Sequence, residues 1–452
     1  MHDRVPYGQR GMDQRVNRSD RIIKKLVSWA VATLYHRVEV RQAPNLTESG
    51  PQLANASHFG GFTDPLLLIY AMDRVPRFIA RDVIWNTPGA KSIMNWVGAI
   101  PVHKSDDGGP ASNDQMFAST YGALQDGELI TIFPEGITVD DPSIAHIKTG
   151  SARIVLGARA AGVEGIRLLS AGIHYENKAA LRSEVFIDIG WEMDLDEAVV
   201  KHVPDGEPQD ASNRQLVRSL TDEMEVRLRE AAPDFKDWET ARSLSAAADV
   251  ALRGSGDDET EVGHGDRERL ARLIDDASDD ARDAVSEAMD VYQADLDAMG
   301  FSDKMFMSGL NTASAFVGYV VRILIVGVIL VPFALAGAII NAIPMGIVWL
   351  IGRLKVADAM MATIKPLGAL LVFLITWSAW VWVGWRFAGL NGAASVVLLL
   401  PVLLFALIAI VERSVLLGRA TRGFARTRSL NDVYGQIRAH RKAVVEAVAQ
   451  AV

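Results

Sequence analysis

At 452 residues the chain is longer than one ordinary core accommodates, and a net charge of −9 provides no basic field to hold a nucleic-acid backbone. There is no cysteine, which removes disulfides, thiolate nucleophiles and cysteine metal sites. The nine histidines show no ligand-type spacing, so no metal is expected.

Met1 to Asp20 are polar and mixed in charge, without the apolar core of a secretory signal, so the following domain is expected on the cytoplasmic side. Residues 20 to 36 read as a helix, with Asp20 as cap and Ile22, Ile23, Leu26, Val27, Ala30 and Leu34 at helical spacing. With Arg21, Lys24, Lys25 and Trp29 on it, this N-terminal segment (1–37) suits a membrane surface; an ordinary packing helix fits the pattern equally well.

From residue 38 to 200 short apolar runs alternate with helical stretches. Strands are expected at 128–133, 166–175 and 184–190, and helices at 64–72, 113–125 and 150–161. That alternation predicts an α/β layer structure with a mostly parallel sheet flanked by helices. Residues 201–305 read as a charged helical segment, interrupted near 254–266 by a stretch of linker composition.

A membrane region is expected over 306–418, because Ile323–Ile351, Pro366–Trp385 and Phe387–Val411 carry no charge and each is long enough to cross a bilayer. The loop after the first run carries Arg353, Lys355 and Lys365, and the tail at 419–452 is basic. Both prefer the cytoplasm, whereas three full crossings, the alternative reading, would put a cytoplasmic N-terminal domain and the basic tail on opposite sides. Pro332, Asn341 and Pro344 therefore favour a re-entrant hairpin over 323–351, followed by spanning helices at 366–385 and 387–411.

The chemistry concentrates in four stretches. In NASHFGGFTDP, His58 lies on a glycine-rich turn with Asp64 ahead of an apolar helix. A histidine oriented by a carboxylate can take a proton from an alcohol near neutral pH. No G-x-S-x-G elbow accompanies the pair, so the substrate's own hydroxyl would be the nucleophile. In GAIPVHKS, His103 and Lys104 end a strand edge where an anionic acceptor can be held. Phe133, Pro134, Glu135 and Gly136 follow a strand directly, placing a carboxylate at the sheet's carboxyl edge. Lys148 opens a helix whose free N–H groups suit an anion.

In this order the stretches resemble the glycerophospholipid acyltransferase family over residues 38–192. The family's histidine–aspartate motif falls on His58 and Asp64, its G-x-I-P-V-x-[RK] motif on Gly98 to Lys104, and its F-P-E-G motif on Phe133 to Gly136. The resemblance implies His58 as general base, Asp64 as its orienting partner, and Lys104 and Glu135 shaping an acceptor-phosphate site. It also implies an acyl-CoA or acyl-carrier-protein thioester as co-substrate, with no other cofactor. Five residues separate His58 from Asp64 where the family usually has four, Asn55 stands three places before the histidine, and LLSAGIHY lacks the usual proline of the fourth motif. The longer spacing, continued by Pro65, is similar to fungal-type glycerol-3-phosphate/dihydroxyacetone-phosphate acyltransferases, as are Ala232-Pro233-Asp234 and the apolar segments after them.

The expected function is a multi-pass membrane O-acyltransferase that moves a fatty acyl group onto glycerol-3-phosphate or lysophosphatidic acid in phospholipid biosynthesis. Its expected partners are membrane lipids, the glycerol-phosphate acceptor and the acyl thioester donor, including acyl carrier protein. The alternative is a catalytically inactive lipid-binding membrane protein with the same fold.

Overall fold

The computed structural model describes residues 18–44, 46–86, 90–103, 113–190, 192–203, 206–253, 262–307, 313–429 and 431–452. It divides into two compact units: residues 1–234 with 358–363, and residues 235–357 with 364–452.

In the first unit the elements run α1 (Arg18–Leu34), β1 (Arg37–Gln42), β2 (Gln52–Ala56), α2 (Thr63–Ala71), β3 (Arg77–Arg81), a 3-10 turn (Asp82–Asn86), α3 (Ala90–Trp96), β4 (Ile100–Val102), α4 (Asp114–Gln125) and β5 (Leu129–Ile132). There follow α5 (Gly150–Ala160), β6 (Arg167–Tyr175), β7 (Glu184–Ile189), β8 (Met193–Asp194), α6 (Leu195–His202) and α7 (Arg214–Ala231). The expected strands and helices of this unit are present with shifts of a residue or so at their ends. The sheet order is β1-β7-β6-β2-β5-β3-β4, with β8 beside β6.

From β6 through β2, β5 and β3 to β4 every pairing is parallel; β7 runs antiparallel to β6. Parallel strands covered on both faces are apolar throughout, and β2 and β6 are buried almost from end to end. Because β6, β2 and β5 are parallel neighbours, the segments leaving their carboxyl ends emerge side by side. That is where His58, Glu135 and Tyr175 lie.

The first unit extends past the boundary expected at 200. Leu216, Val217, Leu220, Met224 and Leu228 form a buried stripe on α7, and Gly172 of β6 lies so close to the Ala231 carbonyl that a Cβ has no room there. The charges that mark this segment in the sequence occupy its outer face, while the stripe packs on the sheet.

The second unit contains α8 (Trp238–Leu252), α9 (His264–Asp275), α10 (Asp279–Met299), α11 (Asp303–Met307), α12 (Ala313–Ile351), α13 (Asp358–Ser429, its first turns counted with the first unit) and α14 (Asn431–Ala451). Residues 254–261 of the expected linker lie outside the described residues; from His264 the chain is helical. The stretch 419–452, expected as a basic tail, is helical: α13 continues to Ser429, and α14 packs between α8 and α10 with Ile437, Val444 and Val448 buried. Its arginines obscure the apolar stripe, and one of them, Arg441, is buried. Asp303 accepts hydrogen bonds from Arg441 Nε (2.8 Å), Arg253 Nε (2.8 Å) and the Tyr292 hydroxyl (2.7 Å).

Two helical stretches, Phe316–Ile351 and Met360–Arg422, are long and apolar enough to cross a membrane. The first runs through Pro332 and Pro344 as one helix and does not break at them. Each proline costs one backbone hydrogen bond, whereas breaking the helix in an apolar medium would strand several polar groups. The second is divided at Ala388–Gly389, where Gly389 takes φ +60°, and Gly384 then lies against the Gly392 backbone, so two arms fold back on each other. The first half of α12 lies along the second arm, with Phe316 stacked on Phe424 and Gly337 against Leu403; its second half meets the first arm, where Asn341 accepts from Trp377 Nε1 (2.9 Å) and Ile351 meets Gly368.

The packing of α14 with α8 and α10 places both ends of the apolar region on one side of any bilayer it enters, so its crossings are even in number. The absence of cysteine makes this directly measurable with single-cysteine variants. A membrane-impermeant maleimide is expected to label Glu239→Cys on α8 and Ala443→Cys on α14 from the same face of sealed vesicles. Labelling from opposite faces would contradict the packing.

Candidate active site

The segment from Ser57 to Asp64 joins β2 to α2 across the sheet's carboxyl edge. Ser57 continues the strand, its N–H bonding the Ala171 carbonyl (3.0 Å) and its hydroxyl accepting from the Ile173 N–H (3.0 Å). His58 follows, with its backbone held at both ends: the N–H donates to Glu135 Oε1 (3.1 Å) and the carbonyl accepts from the Val139 N–H (3.0 Å). Its ring stacks on Phe133 at 4.2 Å between centroids, and Phe133 stacks in turn on Phe78. Nδ1 faces Asp64 Oδ2 at 2.8 Å, leaving Nε2 without a partner among the described residues and the side chain 20% exposed. A base held by one nitrogen and open at the other is what proton abstraction needs.

Asp64 has no exposed surface. It sits in the first turn of α2, where the helix dipole favours a carboxylate, and Pro65 is tolerated there because that turn leaves its N–H groups unbonded. Both its oxygens accept from the Gly60 N–H (3.0 and 2.9 Å), and Oδ1 accepts from the Tyr175 hydroxyl (2.5 Å). Gly60 has no space for a side chain: a Cβ there would overlap the Tyr175 and Thr63 hydroxyls. Gly61 takes φ +60°. The two glycines thus absorb the longer His58–Asp64 spacing, one by close approach and the other by left-handed backbone. The Phe62 N–H donates to Thr363 Oγ1 (3.2 Å).

Glu135 is nearly as buried, with Oε2 accepting from the Ala145 N–H (2.9 Å) while Oε1 holds His58. Burial pushes its carboxyl up to about 7, against the opposing pull of those two N–H donors. Glu135 therefore braces the backbone of His58 and of the 145 loop. Pro134 is buried and its carbonyl accepts from the Lys148 N–H (2.9 Å). Gly136 takes φ +67°, and the exposed Lys148 extends its ammonium over the bare Cα there. Asn55, three places before the histidine, accepts from Ser151 Oγ (2.6 Å) and so ties β2 to the start of α5.

His103 leaves β4 on the same sheet edge, three strands from His58 and so roughly 15 Å away at about 4.8 Å per strand. Its Nδ1 meets Asp82 Oδ2 (3.0 Å), and its backbone N–H and carbonyl are both bonded by the Asn113 side chain (3.0 and 3.2 Å). Lys104 lies outside the described residues. His58, Asp64, Phe133 and Glu135 are thus brought into direct contact, Pro134, Gly136 and Lys148 form the adjoining turn, and His103 stands apart. Tyr175 and Thr63 complete the site without having been singled out in the sequence. The run LLSAGIHY was noted only for the proline it lacks, and its last residue supplies the hydroxyl on Asp64. No group of side chains that could hold a metal occurs among the described residues.

Residues 37–171 match the acyltransferase family model. Over 136 residues the chain is 29% identical to glycerol-3-phosphate O-acyltransferase 2 of Saccharomyces cerevisiae, a match that covers 30% of this chain and 18% of that enzyme. The crystal structure of the 1-acyl-sn-glycerophosphate (LPA) acyltransferase PlsC from Thermotoga maritima aligns with 47% of this chain and 78% of its own, at 19% identity and a TM-score of 0.34.

Two substitutions test the geometry. Gly60→Ala is expected to lower stability by about 1–3 kcal/mol, as overpacking does, and to displace Asp64; thermal unfolding and any turnover assay will register both. Glu135→Gln leaves one of two backbone N–H groups facing an amide NH2, and loss of one charge-assisted bond worth about 1.5–3 kcal/mol predicts a rate about 10- to 100-fold lower. The folded carboxyl titrates above its unfolded value, so the stability it contributes is complete below about 4.5 and lost as pH rises through about 7. The glutamine variant lacks that slope, so its stability relative to the wild type is expected to improve across this window.

Proposed function

We propose, from the match of residues 37–171 to the acyltransferase family model, that the chain is a membrane O-acyltransferase that moves a fatty acyl group from an acyl-CoA or acyl-carrier-protein thioester to a hydroxyl of glycerol-3-phosphate or lysophosphatidic acid. The observation that carries this reading is the imidazole of His58, held at Nδ1 by a fully buried carboxylate and open at Nε2.

Nε2 takes the proton of the acceptor hydroxyl as its oxygen attacks the thioester carbonyl carbon. The tetrahedral adduct collapses with cleavage of the carbon–sulfur bond, and the departing thiolate recovers the proton from Nε2. Asp64 keeps the hydrogen on Nδ1 and stabilises the transient imidazolium, the role a buried aspartate plays beside a catalytic histidine. Phe133 keeps the ring in plane, and Glu135 holds its backbone. The exposed Lys148 beside Gly136, together with Lys104, supplies positive charge for the acceptor phosphate.

Acyl-chain substrates and products partition into a bilayer, and the apolar helices give the enzyme a means of staying there. Even crossing is met when the two arms of α13 span the bilayer and the unbroken α12 does not traverse it. The basic loop at 353–365 and the arginines after Val411 support a cytoplasmic location for that side. Large apolar residues exposed on the catalytic unit, among them Ile22, Leu26, Ile93 and Trp96, suit contact with lipid.

The test is acyl transfer by the purified full chain with glycerol-3-phosphate or lysophosphatidic acid as acceptor and either thioester as donor. Loss of a general base predicts that His58→Ala falls by about 100-fold or more while the protein still folds and inserts. Product from glycerol-3-phosphate assigns the first acylation, and product from lysophosphatidic acid alone assigns the second. Wild-type rates in His58→Ala would refute the mechanism, and no product from any pairing would leave the inactive lipid-binding protein.

A further inference from the structure

A buried carboxylate that orients a histidine must itself be oriented, and besides His58 two groups bond to Asp64. The Gly60 N–H comes from its own loop; the Tyr175 hydroxyl comes from the end of β6, the strand that pairs with β2 on the side away from β5. An ionised carboxylate has no hydrogen to give, so the Tyr175 hydrogen must lie on Asp64 Oδ1, at 2.5 Å between oxygens. The phenolic oxygen is then left to accept, and Thr63 Oγ1 stands 2.9 Å from it. Tyr35 closes the cluster, its ring 6.3 Å from that of Tyr175 between centroids. The arrangement determines a nearby residue choice as well, since only glycine at position 60 leaves space for the phenol to reach the carboxylate.

We propose that Tyr175 is a positioning residue of the reaction, whose hydroxyl holds the Asp64 carboxylate and thereby sets both the aim and the basicity of His58. The proposal rests on the reading of His58 as the base. A donor on Oδ1 draws charge from the carboxylate and limits how strongly it stabilises the imidazolium at Oδ2. Taking that donor away leaves a more negative Asp64, which favours protonated His58. Burial and the neighbouring Asp64 push the Tyr175 phenol well above its ordinary value, so it remains a donor throughout the pH range of an assay.

The titratable groups facing the pair are Glu135 from the segment after β5, Tyr35 from the segment after α1 and Tyr175 from β6. The Lys178–Asp140 ion pair (2.7 Å) flanks Val139, whose N–H bonds the His58 carbonyl. All but Tyr175 are shared by the wild type and a Tyr175→Phe variant, which keeps the ring in place, so a difference between the two isolates the hydroxyl.

The experiment measures the pH dependence of kcat/KM for the full chain and, in parallel, the carbethoxylation rate of His58 by diethylpyrocarbonate, read by mass spectrometry of its peptide. The second readout follows the neutral fraction of the imidazole whether or not a substrate is known, so it separates failure of this proposal from failure of the acyltransferase reading. In Tyr175→Phe the acid limb of the rate profile and the His58 modification midpoint are both expected to rise by roughly half a pH unit, with kcat about ten-fold lower. Thr63→Val, which removes the hydroxyl that meets Tyr175 (2.9 Å) and donates to the Gly60 carbonyl (3.1 Å), is expected to shift the same midpoint in the same direction by less, and serves if the first variant does not fold. A His58 midpoint unmoved in the folded variants, or a loss of melting temperature with no change in profile, would make Tyr175 a structural residue and overturn the proposal.

Discussion

Asp64 is a carboxylate with no exposed surface, and a lone buried charge of this kind costs several kcal/mol. It is tolerable because a backbone N–H, a phenol and an imidazole converge on it within 3.0 Å, at the positive end of a helix. Each of those partners constrains something else. The N–H fixes the glycine turn, the phenol requires β6 beside β2, and the imidazole is left with a single free nitrogen. Much of the candidate site follows from satisfying one charge.

The sheet makes that convergence possible. In a run of parallel strands every carboxyl end lies on one edge, so residues far apart in the chain meet there without long loops. The strand order β6-β2-β5 puts Tyr175 and Glu135 on opposite sides of His58. Each acts on a different part of it: Glu135 on its backbone, and Tyr175 on its ring through Asp64. The same topology accounts for the distance of His103, which leaves the fourth strand of the run beginning at β2 and is occupied by Asp82 and Asn113. Between His58 and that end of the edge lie the carboxyl ends of β5 and β3.

What the sequence discloses divides along the same line. Local signals are legible: the alternation of runs that makes the α/β layers, the glycine turn between His58 and Asp64, and the Phe133–Gly136 segment directly after a strand. Relations that depend on which strands become neighbours are not. Nothing near Tyr175 in the chain points to Asp64, because their contact exists only once β6 pairs with β2. Glu135 is conspicuous as a residue, yet its bonds to two backbone N–H groups depend on the β2–β5 pairing and on the return of the 145 loop. The stripe on α14 was hidden differently: Arg441 occupies one of its inward positions, and a basic residue in an amphipathic pattern reads as surface until its acid is found.

That acid, Asp303, repeats in the helical unit what Asp64 does in the sheet. It is buried and accepts from Arg253 on the chain segment before the apolar helices, from Tyr292 on α10 and from Arg441 on the segment after them. Removing one partner of such a network leaves an uncompensated charge, which costs about 3–5 kcal/mol, so the two flanks of the apolar region are held together by more than apolar contact. Hydrophobic runs tell how many times a chain is able to cross a bilayer, and charged loops tell which side each loop prefers. A buried ion network joining the first flank to the last decides the parity, because α8, α10 and α14 cannot share one core from opposite sides of a membrane.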